Sequence, residues 1–424
     1  MDEKSSSPPP VPTDVHWEYA GALILALLAF GLRLHQLGFQ PLWGDEGWSF
    51  YFASMNLGQM VHLTAEDIHP PLYYALLGGW LRLVGSTPEV ARYLSICFGT
   101  LLVPLSYRAA ARLFDRIAGL ATAAVVTLSP FAIYYSQEVR MYALVTLLGL
   151  GSVYFFIQLI ADQTTDSERS TIQDRSSVKY SLGYVLTTTA AMYTMYYAIF
   201  IPLFQLIYSF AVNPRRKPGD AISHPFIYSL SAVVLLYLPW VIFTGTKLVT
   251  YVQGKRSAEG YIPLGLFNFV ASHLTAFSLG HLSDATHVLA WAAFFFLPLA
   301  LLGLVYHPPR TADHALRTPA RRAGASVAHR ASRIPFPSLL VALYLVIPLS
   351  LGYLINLVYP FIPRDFERTL MLSAPGWWLL LGAGLAWLWH RSRLVLVGVG
   401  AVALLIQTVM LFDFYNTLRY QDEN

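Results

Sequence analysis

The sequence predicts an all-α, polytopic membrane protein, and three observations predict it. Hydrophobic residues make up 55% of the 424 positions and charged residues only 12%, about half the charged share of a soluble domain. Mean hydropathy is +0.49. Apolar runs of spanning length recur from one end of the chain to the other, and a spanning helix needs about 20 such residues. A soluble globular enzyme is excluded, because so few charges cannot cover its surface. Disorder is excluded beyond short segments. The excess of basic over acidic residues, 28 against 24, reads as membrane topology rather than nucleic-acid binding. The single cysteine, Cys97, allows no intrachain disulfide and no cysteine-based metal site.

Residues 1–15 are polar and rich in Pro and Ser, and read as a disordered cytoplasmic tail. The run from Glu18 to Leu37 is the first span. It is too long for a signal-peptide core and reads as a retained anchor. A stretch of different composition follows, about 38–87. Its second half, HPPLYYALLGGWLRLVG, repeats Tyr73, Leu76, Leu77, Trp80 and Val84 at helical spacing. It reads either as a short span or as an interfacial helix.

The basic residues decide between the two. Further apolar runs lie near 88–107, 117–135, 140–160, 180–195, 198–212, 225–246, 288–306, 337–358, 370–389 and 394–412, which makes about 11 spans with the first. If 71–85 is interfacial, 18 of the 28 Lys and Arg fall on one side, the side of the amino terminus. If it spans, Arg108, Arg112 and Arg116 move outside and every later loop inverts. The interfacial reading therefore stands, with the amino terminus inside and the carboxyl end, 416–424, as a short outer tail. Residues 16–415 form a single transmembrane domain. Within it, 307–335 reads as a flexible cytoplasmic loop facing anionic headgroups.

The outer side then holds the segments that could carry chemistry. LWGDEGWSF (42–50) sets Asp45 and Glu46 just beyond the first span. Vicinal carboxylates point in different directions, so one can face a reaction while the other bonds locally; a hydrated turn between interfacial tryptophans is the plainer reading. YYSQEVRMYAL (134–144) brings Glu138 and Arg140 to a helix end, as a structural ion pair or as a phosphate-binding Arg held by a carboxylate. In IHPPLYY (68–74), His69 either caps the following helix or binds substrate. RDFERTLMLSAP (364–375) places Arg364 and Arg368 four apart on one helical face, fit for an anionic group or for local pairing with Asp365 and Glu367. The loop 247–287 reads as a second interfacial helix or lid. Its His273, His281 and His287 match no zinc spacing.

Together these motifs resemble a known group. An acidic DE after span one, HPPLYY before an interfacial helix, a basic loop with RLF, and SPF-IYYSQE-R-YAL closely resemble bacterial membrane glycosyltransferases of the GT-C superfamily. The nearest branch is the protein O-mannosyltransferase-like family (glycosyltransferase family 39), with the related lipid A aminoarabinose transferases. The resemblance is strongest over 36–160 and returns in 337–390. It implies a GT-C fold and transfer of a sugar, mannose or similar, from a polyprenyl-phosphate donor to a glycan, lipid or protein acceptor at the outer face of the cell membrane. It implies Asp45 as general base, Glu46 as an orienting acid, and Arg140 with Glu138 and Arg368 at the donor phosphate. No cofactor is required by it, and a divalent cation stays open. Two positions depart from the pattern: Thr369 stands where Tyr is expected, and Met195 where relatives often carry His. The competing class is a transporter or flippase of lipid-linked sugars. That class places ionisable groups near the bilayer midplane, whereas here they cluster at span ends.

Overall fold

Eighteen residues, Trp17–Leu34, form α1, about 27 Å at 1.5 Å per residue and close to the hydrocarbon thickness. The structure is a computed structural model that describes residues 17–67, 69–162, 170–212, 224–258, 263–283, 285–308, 334, 336–358 and 366–418. The tail 1–15, most of the 307–335 loop, the last six residues of the outer tail and Arg364 lie outside the described residues. Every regular element among the described residues is helical.

Three short helices follow α1: α2 (Gly44–Ser54), α3 (Leu57–Glu66) and α4 (Leu72–Val84). Asn56 starts α3 by accepting the Gln59 N–H at 3.0 Å, an N-cap that satisfies one of the helix's free donors. The 13 residues of α4 extend about 20 Å, less than the ~30 Å needed to cross. It is pinned instead to its neighbours. Trp80 donates to the Val90 carbonyl at 2.7 Å and Arg82 to that of Met55 at 2.8 Å.

Next come α5 (Pro88–Leu113), α6 (Arg116–Leu128) and α7 (Pro130–Ser136). The last two meet at 58°. Pro130 causes the break, since it has no N–H to continue the ladder. The carbonyl it leaves without a helical partner, that of Val126, is taken by the buried Arg33 guanidinium at 3.1 Å. Ser129 caps the new helix, accepting the Ala132 N–H at 3.2 Å.

The remaining helices are α8 (Tyr142–Asp162), α9 (Ser170–Met192), α10 (Phe200–Val212), α11 (His224–Ala258), α12 (Leu266–Leu279), α13 (Phe296–Val305), α14 (Pro337–Val358), α15 (Ala374–Arg391) and α16 (Arg393–Asn416). The 3-10 segments Tyr196–Ile199, His287–Phe295 and Phe366–Ser373 lead into α10, α13 and α15. Eight helices among the described residues are long and apolar enough to cross a membrane, or nine if α6 and α7 form one bent span. The count of 11 expected from the apolar runs is higher. The difference lies at 180–195, on α9 with its polar first half, and at 198–212, where the helix is too short.

The segment Phe366–Arg391 is the centre of the bundle, with 89% of its most apolar window buried. It crosses α13 at backbone contact. A Cβ on Gly384 would lie 2.0 Å from the Leu299 carbonyl oxygen, and one on Gly303 2.1 Å from that of Leu380. Small residues permit such approaches between membrane helices. The outermost helices are the reverse. Leu23, Ile24 and Leu27 of α1 and Val397, Leu405 and Phe412 of α16 are exposed, a surface suited to lipid tails. Polar groups gather at the two ends. At one, Arg116 pairs with buried Glu18 at 2.9 Å, and Asp115 receives Tyr306 and His390. At the other lie α2 to α4, the 137–141 turn and the Phe366–Ser373 segment.

Candidate active site

Asp45 and Glu46 occupy the first turn of α2, where the helix dipole favours negative charge. About 100° of helix separates them, so they face different surroundings. Glu46 points into the bundle and is fully buried. Arg92 of α5 grips it with two bonds, Nε to Oε1 at 3.1 Å and Nη2 to Oε2 at 2.7 Å. The same guanidinium donates to the carbonyls of Leu37, Gln40 and Pro41 at 2.9–3.1 Å. Glu46 Oε1 also accepts the Val139 N–H at 2.9 Å. One buried ion pair therefore ties the loop before α2 to the 137–141 turn. Both Glu46 oxygens are engaged inside the protein, so its place is to hold its neighbours.

Asp45 faces the other way and is about one-third exposed. Its Oδ2 lies 3.1 Å from Arg368 and 3.7 Å from Arg140. Arg140 follows Val139, so the bond from Val139 to Glu46 sets where it begins. It donates to the Asp45 backbone carbonyl at 3.0 Å and reaches Ser49 at 3.5 Å. Arg368 lies over the Trp43 ring at 4.9 Å and the Tyr142 ring at 5.8 Å, and Arg140 lies over the Tyr142 ring at 5.9 Å. Aromatic faces attract cations. Burial pulls the Arg140 pKa down, but Tyr74, Tyr142 and Asp45 outweigh it and hold the group above its usual range. Arg140 is charged at any working pH.

The turn that carries Arg140 is anchored from behind. Gln137 donates to the carbonyls of Arg33 and His35, both at 2.8 Å. Arg33 donates to Ser136 at 3.1 Å. Gly99 makes room for this contact, since a Cβ there would lie 2.0 Å from the Ser136 hydroxyl. Glu138 is buried and lines a small cavity with Glu46, Arg92 and Gln137.

His69 closes the site on a third side. Its Nε2 is 3.5 Å from Arg140, and its Nδ1 is 2.6 Å from the Asp67 carbonyl and 3.2 Å from the Asp67 carboxylate. The far face of α2, with Gly44, Gly47, Trp48 and Tyr51, borders an open groove.

Of the residues singled out from the sequence, Asp45, Arg140, Arg368 and His69 converge, and Glu46 and Glu138 lie directly behind them. Arg364 is outside the described residues. Thr369 bonds its own turn at the Phe366 carbonyl, 2.8 Å away, and Met195 is buried. Arg92, Trp43, Tyr142 and Asp67 were not picked out for roles in the site. Arg92 had a signal: a charged residue near the start of a long apolar helix needs a partner. Among the described residues, no group of three or more His, Cys, Asp or Glu is arranged to hold a metal ion.

Solved membrane proteins share this fold, with its short-helix loop after the first span. Residues 68–243 match the family described as dolichyl-phosphate-mannose-protein mannosyltransferase. The oligosaccharyltransferase of Archaeoglobus fulgidus in its apo form is similar with a TM-score of 0.59 and 11% identity, over 96% of this chain and 56% of that one. The same organism's oligosaccharyltransferase AglB, in complex with an inhibitory peptide and a dolichol-phosphate, gives 0.59 and 12%, over 95% and 56%. ArnT from Cupriavidus metallidurans, bound to undecaprenyl phosphate, gives 0.56 and 15%, over 96% and 66%. The chain thus spans little more than half the length of the archaeal enzyme. No curated protein sequence matches it.

Proposed function

We propose that this protein is a glycosyltransferase that moves a sugar from a polyprenyl-phosphate donor to an acceptor at the outer face of the cell membrane. The observation that carries this reading is the convergence of Arg140 and Arg368 on the exposed carboxylate of Asp45, at one end of an apolar bundle. A polyprenyl donor keeps its lipid in the bilayer and its phosphosugar at the boundary, so its enzyme needs cations and a base at that depth. The positive-inside distribution supports the outer face. The family matched over 68–243 is described by a dolichyl-phosphate-mannose donor, and the solved relatives were captured with dolichol-phosphate and undecaprenyl phosphate.

In this mechanism the donor phosphate docks between Arg140 and Arg368 and takes over the charge that Asp45 now neutralises. Asp45 turns to the acceptor hydroxyl and accepts its proton as the oxygen attacks the anomeric carbon. The groove along Gly44, Gly47, Trp48 and Tyr51 lets the acceptor approach from the side away from the cations. The two guanidiniums stabilise the charge that grows on the departing phosphate. A single displacement inverts the anomeric configuration. Glu46 orients Asp45 and Arg140 without meeting either substrate.

The test compares membranes with the wild-type protein, with Asp45→Asn and without the protein, by mass spectrometry of glycolipids and glycoproteins. One glycan present only with the wild type identifies sugar and acceptor together. Identical glycans in all three would sink the reading, and labelled sugar crossing vesicles without covalent transfer would replace it with a flippase.

A further inference from the structure

Tyr73 and Tyr74 are neighbours in the first turn of α4, and they face different surroundings. Tyr73 is fully buried, with its hydroxyl 3.4 Å from that of Ser95 on α5. Tyr74 lies about 100° further round the helix and is 1% exposed. Its ring packs on Phe52 of α2 at 5.1 Å and meets His69 edge-on at 6.1 Å. His69 in turn stands 3.5 Å from Arg140. The Tyr74 hydroxyl is buried and makes no hydrogen bond among the described residues. The charged groups that act on it are Arg140, Asp67 and Asp45, Arg140 most strongly, so it is directed at the cradle. Burial pushes its pKa up and outweighs the opposite pull of Arg140. The group is therefore a phenol with a hydrogen to give.

A buried hydroxyl without a partner is costly and calls for a reason. Arg140 cannot take its hydrogen, because a guanidinium has no acceptor. An anion docked on Arg140 can, and a hydrogen bond to an ionised oxygen is among the stronger ones. Resting on the donor reading above, we propose that Tyr74 is a further donor-binding residue, whose hydroxyl donates to an unesterified oxygen of the polyprenyl phosphate held by Arg140. Arg140 and Arg368 supply charge. Tyr74 supplies direction, since its O–H turns one phosphate oxygen toward α4 and so limits how the phosphate can rotate in the cradle.

The test is Tyr74→Phe, which removes the hydroxyl and keeps the ring against Phe52 and His69. Undecaprenyl phosphate is titrated onto the full-length protein in nanodiscs. Undecaprenol, with the same tail and no phosphate, is the comparison lipid. Affinity for undecaprenyl phosphate is expected to fall about tenfold or more in the variant, the worth of a hydrogen bond to a charged group. Affinity for undecaprenol is expected to stay the same. Without lipid, the variant should melt at the wild-type temperature or above it, because it strands no polar atom. Equal affinity of the two proteins for undecaprenyl phosphate overturns the inference and leaves the donor reading standing. An equal loss for both lipids, or a lower Tm of the empty variant, also overturns it, since either result assigns the hydroxyl to the fold. If the wild type binds undecaprenyl phosphate no better than undecaprenol, the donor reading falls and this inference with it.

Discussion

The Asp45 carboxylate sits 3.1 Å from the Arg368 guanidinium, and Arg368 in turn lies over the Trp43 ring two residues before Asp45. The start of α2 thus offers one cation both a charge and an aromatic face. Any anion that docks on Arg368 competes with Asp45 for it, so in the proposed mechanism binding a donor and releasing the base are a single event.

Replacing Asp45 by Asn should therefore act in opposite directions on two observables. Turnover falls by about 10²–10⁴, the usual contribution of a general base. Affinity for a polyprenyl phosphate rises, because the competing negative charge is gone. Turnover assays and direct binding on the same purified protein check this, and weaker lipid binding in the variant would remove Asp45 from the cradle.

Arg368→Lys keeps the charge and loses the flat face that lies over Trp43 and Tyr142. Arg and Lys are not equivalent at a stacked site. Losing one positioned donor to a developing charge costs about 10²–10³ in rate, and the Lys variant should lose most of that. The measurement is kcat/KM for the donor, with KM for the acceptor little changed. Wild-type donor kinetics would assign Arg368 to structure alone.

The pair of Glu46 and Arg92 is buried on both sides. Glu46→Gln leaves the Arg92 charge without its partner, and breaking a buried pair in this way costs about 3–5 kcal/mol. Replacing both residues by Met removes the stranded charge and should recover part of the loss. Thermal unfolding in detergent of Glu46→Met, Arg92→Met and the double Met variant decides the matter. Strict additivity would show that the two side chains do not act as a pair.

Gly99→Ala places a methyl group 2.0 Å from the Ser136 hydroxyl and 3.0 Å from Arg33 Nε. Overpacking of this kind costs about 1–3 kcal/mol, and the displaced turn carries Arg140. We expect a lower Tm together with a raised donor KM, and partial recovery when Ser136→Ala is added. A silent Gly99→Ala would mean that α7 can shift without moving the turn.

Much of the site was legible residue by residue. Asp45, Arg140, Arg368 and His69 stood out because ionisable groups are costly near apolar spans and so attract notice in the sequence. What could not be read was direction. The DE pair reads as two acids of one motif, yet Glu46 faces Arg92 inside the bundle and Asp45 faces the cleft, a difference set by the angle at which α2 leaves the loop. Trp43 looked like an interfacial tryptophan, and only the return of the chain at 366–373 gave it a cation to face. The span count differs for a related reason. An apolar run shows that a segment avoids water, but not that its helix is long enough to cross, and the helix at 198–212 is too short.

Composition and hydropathy by themselves determined that the chain is helical and polytopic, with most of its charges outside the apolar runs, because transfer into lipid depends on sums over about 20 neighbouring residues. The tertiary structure alone decided that Asp45 meets Arg140 and Arg368, that Arg92 locks Glu46, and that His69 lies beside Arg140. Those contacts join residues far apart in the chain, and the turn that carries Arg140 is backed by close packing at Gly99 that no local sum over residues contains.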